Sequence, residues 1–288
     1  LDLSGAPKFK GDLNGEGKNL GLLIEAIRRE PTPIALAQFF SINGNILASM
    51  QGVEINDLAV QVADSKIQGD ISLEIGDMSR FSVNLSSKQV DLDKWLSTPK
   101  PEVVKEKAVT KKNIRVAGAI PVKQEQTTVL KIDRAIIPDD INGSVIISVE
   151  ALLYRGKVIS DIVINTKLKN GLARLSHFSA QFPGSSEMVF YGDLTASNGA
   201  PQFSGNIEAT TNDLRKVTNW LDIKIPNIPM DRLRKVDFSS EITLRRDEIQ
   251  VQGLKLKFDS SKLTGAATIA LRSRPSFGAN LMLDQINT

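Results

Sequence analysis

The sequence predicts a mainly β chain: a long curled antiparallel sheet, an open β-groove, with a few short helices at one rim, built from an internal repeat of about 195 residues. Three observations point there. Most of the chain alternates apolar and polar residues with period two, cut by Gly or polar turns. Only short stretches carry helical spacing. The nonapeptide GAPKFKGDL at residues 5–13 returns as GAPQFSGNI at residues 199–207.

The second match is not isolated. Phe203 stands 194 positions after Phe9, and at the same offset Leu20, Leu23 and Ile27 meet Leu214, Val217 and Leu221. From Pro33 onward the offset is 196, with Pro33 on Pro229 and Ile46, Val53, Ile55, Leu58, Val60 and Val62 on Ile242, Ile249, Val251, Leu254, Leu256 and Phe258. SKIQG at 65–69 meets SKLTG at 261–265. Chance does not keep apolar phase over such a length with a single step of two. The chain is therefore expected to hold about one and a half copies of a unit longer than the usual solenoid period.

Each copy opens on a short strand carrying Gly-Asp-Leu or Gly-Asn-Ile. A helix over 19–29 follows, with Leu20, Leu23, Ile24 and Ile27 at i, i+3, i+4 and i+7 and Asn19 as its N-cap. Pro31 and Pro33 end it, and Thr32-Pro33 opens a second short helix over 33–40. In the second copy Asp213, Leu214, Val217 and Leu221 predict a helix near 212–222. The rest reads as about a dozen strands in hairpin order. Ile67, Ile71 and Leu73 alternate, as do Phe81, Val83 and Leu85, and residues 141–196 add four more runs.

One slip recurs. Val53 and Ile55 are odd-numbered, whereas Leu58, Val60 and Val62 are even; the second copy slips between Val251 and Leu254. A β-bulge does this and bends the sheet, while a tight turn between two short strands is the alternative. Residues 98–113 hold five Lys, two Glu and two Pro, a loop composition. The expected organisation is a first groove segment over 1–97, a charged linker over 98–127, and a second segment over 128–288 continuing the same sheet.

Composition excludes more than it assigns. The 288 residues are 41% hydrophobic, 24% charged and 5% aromatic, so aliphatic side chains do the packing. The net charge of +3 is matched by the linker alone, so no basic face stands out and nucleic acid is not an expected partner. There is no Cys and one His, His177, on the strand parity opposite Phe178, Ala180 and Phe182. That removes disulfides, thiolate chemistry and ordinary zinc sites. Asp91, Asp93, Asp139 and Asp140 fit helix capping better than acid–base work. No nucleophile elbow or phosphate loop is present. The expectation is a protein that is not an enzyme, with no cofactor and no metal. No apolar run is long enough for a membrane helix. The chain starts without Met and ends inside a strand pattern, so it reads as a piece of a longer protein.

What remains is apolar surface on a long sheet. Alternation identifies a face to be buried without saying what buries it. A second sheet would make it ordinary core; an uncovered face implies a ligand. An extended aliphatic trough suits acyl chains, at about 0.8 kcal/mol per buried methylene. The lining residues expected are Ile67, Ile71, Leu73, Phe81, Val83, Leu85, Leu263, Ile269, Leu271, Phe277 and Leu281.

The order of the motifs resembles a known family. Phe-x-Gly-[Asp/Asn]-[Leu/Ile] is followed by a helix, a Pro-bounded turn, Ser-Lys-[Ile/Leu]-x-Gly opening a strand, [Ser/Pro]-x-Phe, and VDLDKWL at 90–96. The block from Ile136 to Leu194 adds Pro-x-Asp-Ile-x-Gly, hydrophobic strands and Asn-Gly-x-Ala before Gly-Asp-Leu. These resemble the AsmA family of bacterial envelope proteins over nearly the whole chain except residues 98–127. FPGSSEM at 182–188 departs from the commoner pattern by carrying a single Gly. The resemblance implies a Gram-negative periplasmic location, anchorage to the inner membrane by a helix outside this chain, a lipid-carrying β-groove, and a part in phospholipid transport and outer-membrane integrity. It implies phospholipids and envelope proteins as partners, and brings no catalytic residue. Its rival is an assembly factor that pairs its sheet edges with strands of outer-membrane proteins.

Overall fold

A computed structural model describes residues 8–28, 36, 38–96, 138–197, 200–224, 234–271 and 274–284. Its strands are β1 (Lys8–Gly17), β2 (Phe40–Ser49), β3 (Gly52–Val62), β4 (Ser65–Glu74), β5 (Ser79–Asp91), β6 (Ile141–Tyr154), β7 (Lys157–Lys169), β8 (Leu172–Phe182), β9 (Ser186–Ser197), β10 (Ala200–Thr211), β11 (Val236–Arg245), β12 (Glu248–Phe258), β13 (Ser261–Ala270) and β14 (Ser276–Leu283). They form one sheet in chain order, and β1 and β14 do not pair to close it. The helices are α1 (Leu20–Arg28), α2 (Leu92–Leu96) and α3 (Leu214–Trp220).

Each helix leaves the same end of the sheet, because β1, β5 and β10 run in one direction. Asn19 caps α1 through a bond from the Leu22 N–H (3.1 Å), Asp91 caps α2 through the Lys94 N–H (2.9 Å), and Asp213 caps α3 through the Lys216 N–H (3.2 Å). The buried apolar residues Phe40, Val62, Val90, Ile159, Ile162 and Ala180 gather toward this rim, with Leu58 further in.

Two expectations are corrected. The second helix over 33–40 does not form where its residues are described. Residues 36, 38 and 39 are irregular, and Phe40 begins β2, paired with Gly17 and Val62; residues 33–35 and 37 lie outside the description. Strand pairing and burial of the Phe40 ring override the Thr-Pro start signal. Antiparallel order also has one exception. β5 and β6 run parallel, from Ser79 opposite Ile141 to Asp91 opposite Leu153. Of the residues between the two strands in sequence, 97–137 lie outside the described residues, and with them the expected linker at 98–127.

Residues facing each other in paired strands point to the same side. One such row runs Phe9, Ala48, Val53, Leu73, Phe81, Gly143, Leu168, Ala173, Leu194, Phe203, Leu244, Ile249, Ile269 and Phe277, one residue from every strand. No member is polar. Shifted by one residue, Lys10, Leu47, Glu54, Ser72, Ser82, Ser144, Lys167, Arg174, Asp193, Ser204, Thr243, Gln250, Thr268 and Gly278 form the row on the reverse face. Leu47 is its one apolar side chain.

The slip in β3 is a bulge inside one strand. Asn56 and Asp57 stand opposite Asp70 alone on β4, and β3 carries the same surplus against β2. The extra residue lets both Ile55 and Leu58 face the apolar side while β2 and β4 keep their phase. β12 has the same shift between Val251 and Leu254, and every β2–β3–β4 pairing recurs 196 positions on in β11–β12–β13. The bulge needs a left-handed residue: Asp57 (φ 52°) in β3, Gly253 (φ 57°) in β12. Asp57 is held by two polar contacts, its N–H to Asp70 Oδ1 (3.1 Å) and its Oδ2 from Asn45 Nδ2 (3.0 Å).

Beside each bulge sits a glycine with no room for a side chain. A Cβ on Gly69 would lie 1.8 Å from the Asn84 carbonyl oxygen, and one on Gly265 2.1 Å from that of Asn280, both at φ above 150°. Gly69→Ala or Gly265→Ala is therefore expected to cost about 1–3 kcal/mol, read as a fall in the urea midpoint. Gly278→Ala, with nothing within 4 Å of its would-be Cβ, serves as the control and should stay within about 0.5 kcal/mol of the parent.

Candidate functional site: an uncovered apolar trough

The apolar rows stack along the strands. Next to the row already given run Ile46, Ile55, Ile71, Val83, Val145, Thr166, Leu175, Gly192, Gly205, Ile242, Val251 and Ala267. Closer to the helices lie Leu85, Ile147, Ile164, Phe178, Phe190 and Ile207. At about 4.8 Å per strand, fourteen strands give a face about 60 Å long. Among the described residues no second sheet lies over it, and each strand's main contacts are its sheet neighbours. Its members are correspondingly exposed: 41% for Leu73, 38% for Ile269 and 88% for Phe277 on the edge strand. A closed sandwich core is ruled out for the described residues.

Ten of the eleven residues named from sequence are brought to this one face; Leu271 lies beyond the paired strand. Leu73, Phe81, Ile269 and Phe277 share the first row, Ile71 and Val83 the second. Leu85 pairs with Gly69 and Leu281 with Gly265. Ile67 is opposite Val60, and Leu263 is opposite Leu256 and Leu283. Leu271 follows β13 by one residue, tied back through its N–H to the Asp247 carbonyl (2.7 Å), and is exposed.

The Phe-x-Gly motif now has a physical reading. Phe203 lies over the glycine two residues on, so a Cβ on Gly205 would lie 2.7 Å from its ring, and one on the facing Gly192 2.5 Å. Phe190 stacks on Phe203 with centroids 4.8 Å apart, covering the glycine pair with aromatic surface. In β1, Phe9 covers Gly11 in the same way at 2.9 Å.

Sequence reasoning missed a cavity in the trough. It is about 550 Å³ and lies between the apolar face of β8–β12 and α3. Phe182, Met188, Ala209, Val236, Phe238 and Leu256 form its floor and walls; Leu214, Val217, Trp220 and Leu221 cover it. Trp220 fixes the cover: its Nε1–H donates to the Tyr154 carbonyl (3.1 Å), and its ring meets Tyr154 edge-on and Phe182 at a tilt, centroids 6.2 and 6.0 Å apart. Arg155 adds a bond to the Leu221 carbonyl (3.4 Å). The Asp93 carboxylate in turn accepts the N–H groups of Arg155 and Gly156 at 2.7 and 2.8 Å. The available signal was Trp220 itself, three residues after Val217 on the apolar stripe of α3. Its partner Tyr154 is too distant in sequence to be inferred.

The reverse face carries the charge. Arg174 and Asp193, opposite each other on β8 and β9, form a two-pronged ion pair at 2.7 and 2.9 Å. His177 is exposed in the β8 irregularity, opposite Asn165. Among the described residues no three His, Asp or Glu side chains group to hold a metal ion, and no helix is long and apolar enough to cross a membrane. No family model, curated protein or solved structure matches the chain.

The Arg174 hydrogen bond holds the Asp193 carboxyl below its usual range, with the Arg174 charge adding to it against a modest burial penalty. A depressed carboxyl contributes stability that is present above its unfolded pKa and is lost as pH falls through the folded one. Titration followed by NMR is expected to place Asp193 below the ordinary ~3.9 and return it toward that value in Arg174→Gln. An unchanged Asp193 titration in that variant contradicts the pairing.

Proposed function

We propose that the chain is the groove segment of a periplasmic, AsmA-like envelope protein of a Gram-negative bacterium. In this reading the trough takes the acyl chains of phospholipids and lets them move along the sheet between inner and outer membranes, in support of outer-membrane integrity. A helix outside this chain would anchor it to the inner membrane. The observation that supports the reading is the unbroken apolar row across all fourteen strands on a face with no covering layer among the described residues. An exposed apolar surface of that extent is stable in water only if something apolar occupies it. A hydrocarbon chain suits a surface lined by backbone-paired strands, because it brings no hydrogen-bonding group that the wall would have to satisfy. A chain of about 16 carbons gains on the order of 10 kcal/mol before entropy losses. No step of this function asks for a catalytic group.

The motif order that resembles the AsmA family supports the envelope placement. A second reading, an assembly factor for outer-membrane proteins, draws on β14, whose eight residues are all exposed along an unpaired edge.

The two readings separate in one experiment. The purified chain is expected to carry phospholipid in near-stoichiometric amount, measured by mass spectrometry of an organic extract. Leu73→Asp combined with Ile269→Asp is expected to lower that lipid several-fold while the circular dichroism spectrum and urea midpoint are kept, since both positions reach water. A lipid-free parent that captures unfolded barrel strands supports the assembly factor. Unfolding of the double variant points to a sealed core.

A further inference from the structure

We infer that the cavity beneath α3 is a discrete seat for the methyl-terminal part of a single acyl chain, an inference that rests on the trough reading above. Along most of the trough the apolar rows are open on one side, so a hydrocarbon lying there keeps part of its surface in water. Beneath α3 less of that surface is left: the sheet supplies Met188, Ala209 and Phe238 below, and the helix adds Leu214, Val217 and Trp220 above. At about 550 Å³ the space falls in the ordinary range for small-molecule sites.

The lining selects the chemistry of its occupant. Its only hydroxyls, Ser186, Thr210 and Thr211, include a pair bonded to each other at 2.7 Å. Ser186 Oγ also lies within hydrogen-bond distance of the Pro183 carbonyl (2.9 Å), and Thr211 Oγ1 accepts the Asp213 N–H (3.1 Å). Thr210 and Glu187 are paired through β10 and β9 and lie on the reverse parity from Ala209 and Met188. A peptide segment or a lipid headgroup placed there would leave polar groups without partners, at a cost of several kcal/mol. A hydrocarbon carries none.

Position sets the direction. The cavity lies at the helical rim, where Trp220 and Arg155 tie α3 to the β6–β7 turn. The apolar lining has no partner for a headgroup, so the headgroup end lies away from it, along the open trough toward the opposite rim. The cavity thus serves as the end stop of one chain, with a stronger hold than the open trough on either side.

Trp220 reports on the seat directly. In a Trp95→Phe variant of the full chain it is the sole tryptophan. Stearic acid spin-labelled near its methyl end is expected to quench its fluorescence more strongly than stearic acid labelled near the carboxyl group. Ala209→Phe, which fills the cavity from the sheet, is expected to weaken the methyl-labelled probe about 50-fold, the loss of about three methylene contacts at about 0.8 kcal/mol each. Val217→Phe fills the same space from the helix and should act alike if the first variant folds poorly. Binding with equal quenching by the two probes, or binding unaffected by both filling variants, overturns the seat and leaves the trough reading standing. No binding of either probe, together with a lipid-free parent, overturns both.

Discussion

The structure depends on phase. An uninterrupted apolar face across fourteen strands requires each strand to deliver its apolar parity to the same side as its neighbours. A single unmatched slip would turn every later residue of that strand over. β3 and β12 meet the requirement by spending one residue in a left-handed bulge while the strands on both sides stay regular. The bulge is thus part of how the face stays apolar as well as where it bends. Asp57 and Gly253 show two solutions to the same backbone demand. One is a carboxylate residue held by Asp70 and Asn45; the other is a residue with no side chain to strain.

From that face the distribution of burial follows. Among the described residues the helices leave the sheet at one rim, and there Phe40, Val62, Val90 and the Ile159–Ile162–Ala180 cluster close around apolar atoms. Away from it the same rows open to water. The fold therefore grades from a sealed edge to an exposed one within each strand. α3 makes the grade steepest by adding Trp220 to the cluster of β6–β8.

Much of this could be read from residues alone, because its causes are local. Alternation in Ile71-x-Leu73 and Phe81-x-Val83-x-Leu85 placed those side chains on one face, and the change of parity after Ile55 located the bulge. Asn19 and Asp213 announced two helix starts. Where the cause is distant the sequence was silent or misleading. Nothing in Ser79 or Ile141 says that they will be parallel neighbours, since pairing between strands so far apart in sequence leaves no mark on the local pattern of either. Thr32-Pro33 signalled a helix, yet Phe40 went to a strand because Gly17 leaves space under its ring. Whether a second layer would cover the alternating face was equally out of reach, as was a cavity whose cover hangs on a Trp220–Tyr154 bond.

The claim at the centre is that acyl chains, and no protein layer, cover the apolar face. A phospholipid with a photoactivatable diazirine in its acyl chain, irradiated with the full chain and mapped by mass spectrometry, tests it most directly. Adducts are predicted on the apolar rows, at residues such as Leu73, Phe81, Leu244 and Ile269, with the reverse-face residues Glu54, Ser72, Thr243 and Thr268 unlabelled. Adducts spread equally over both faces, or confined to the edge strands β1 and β14, would contradict it.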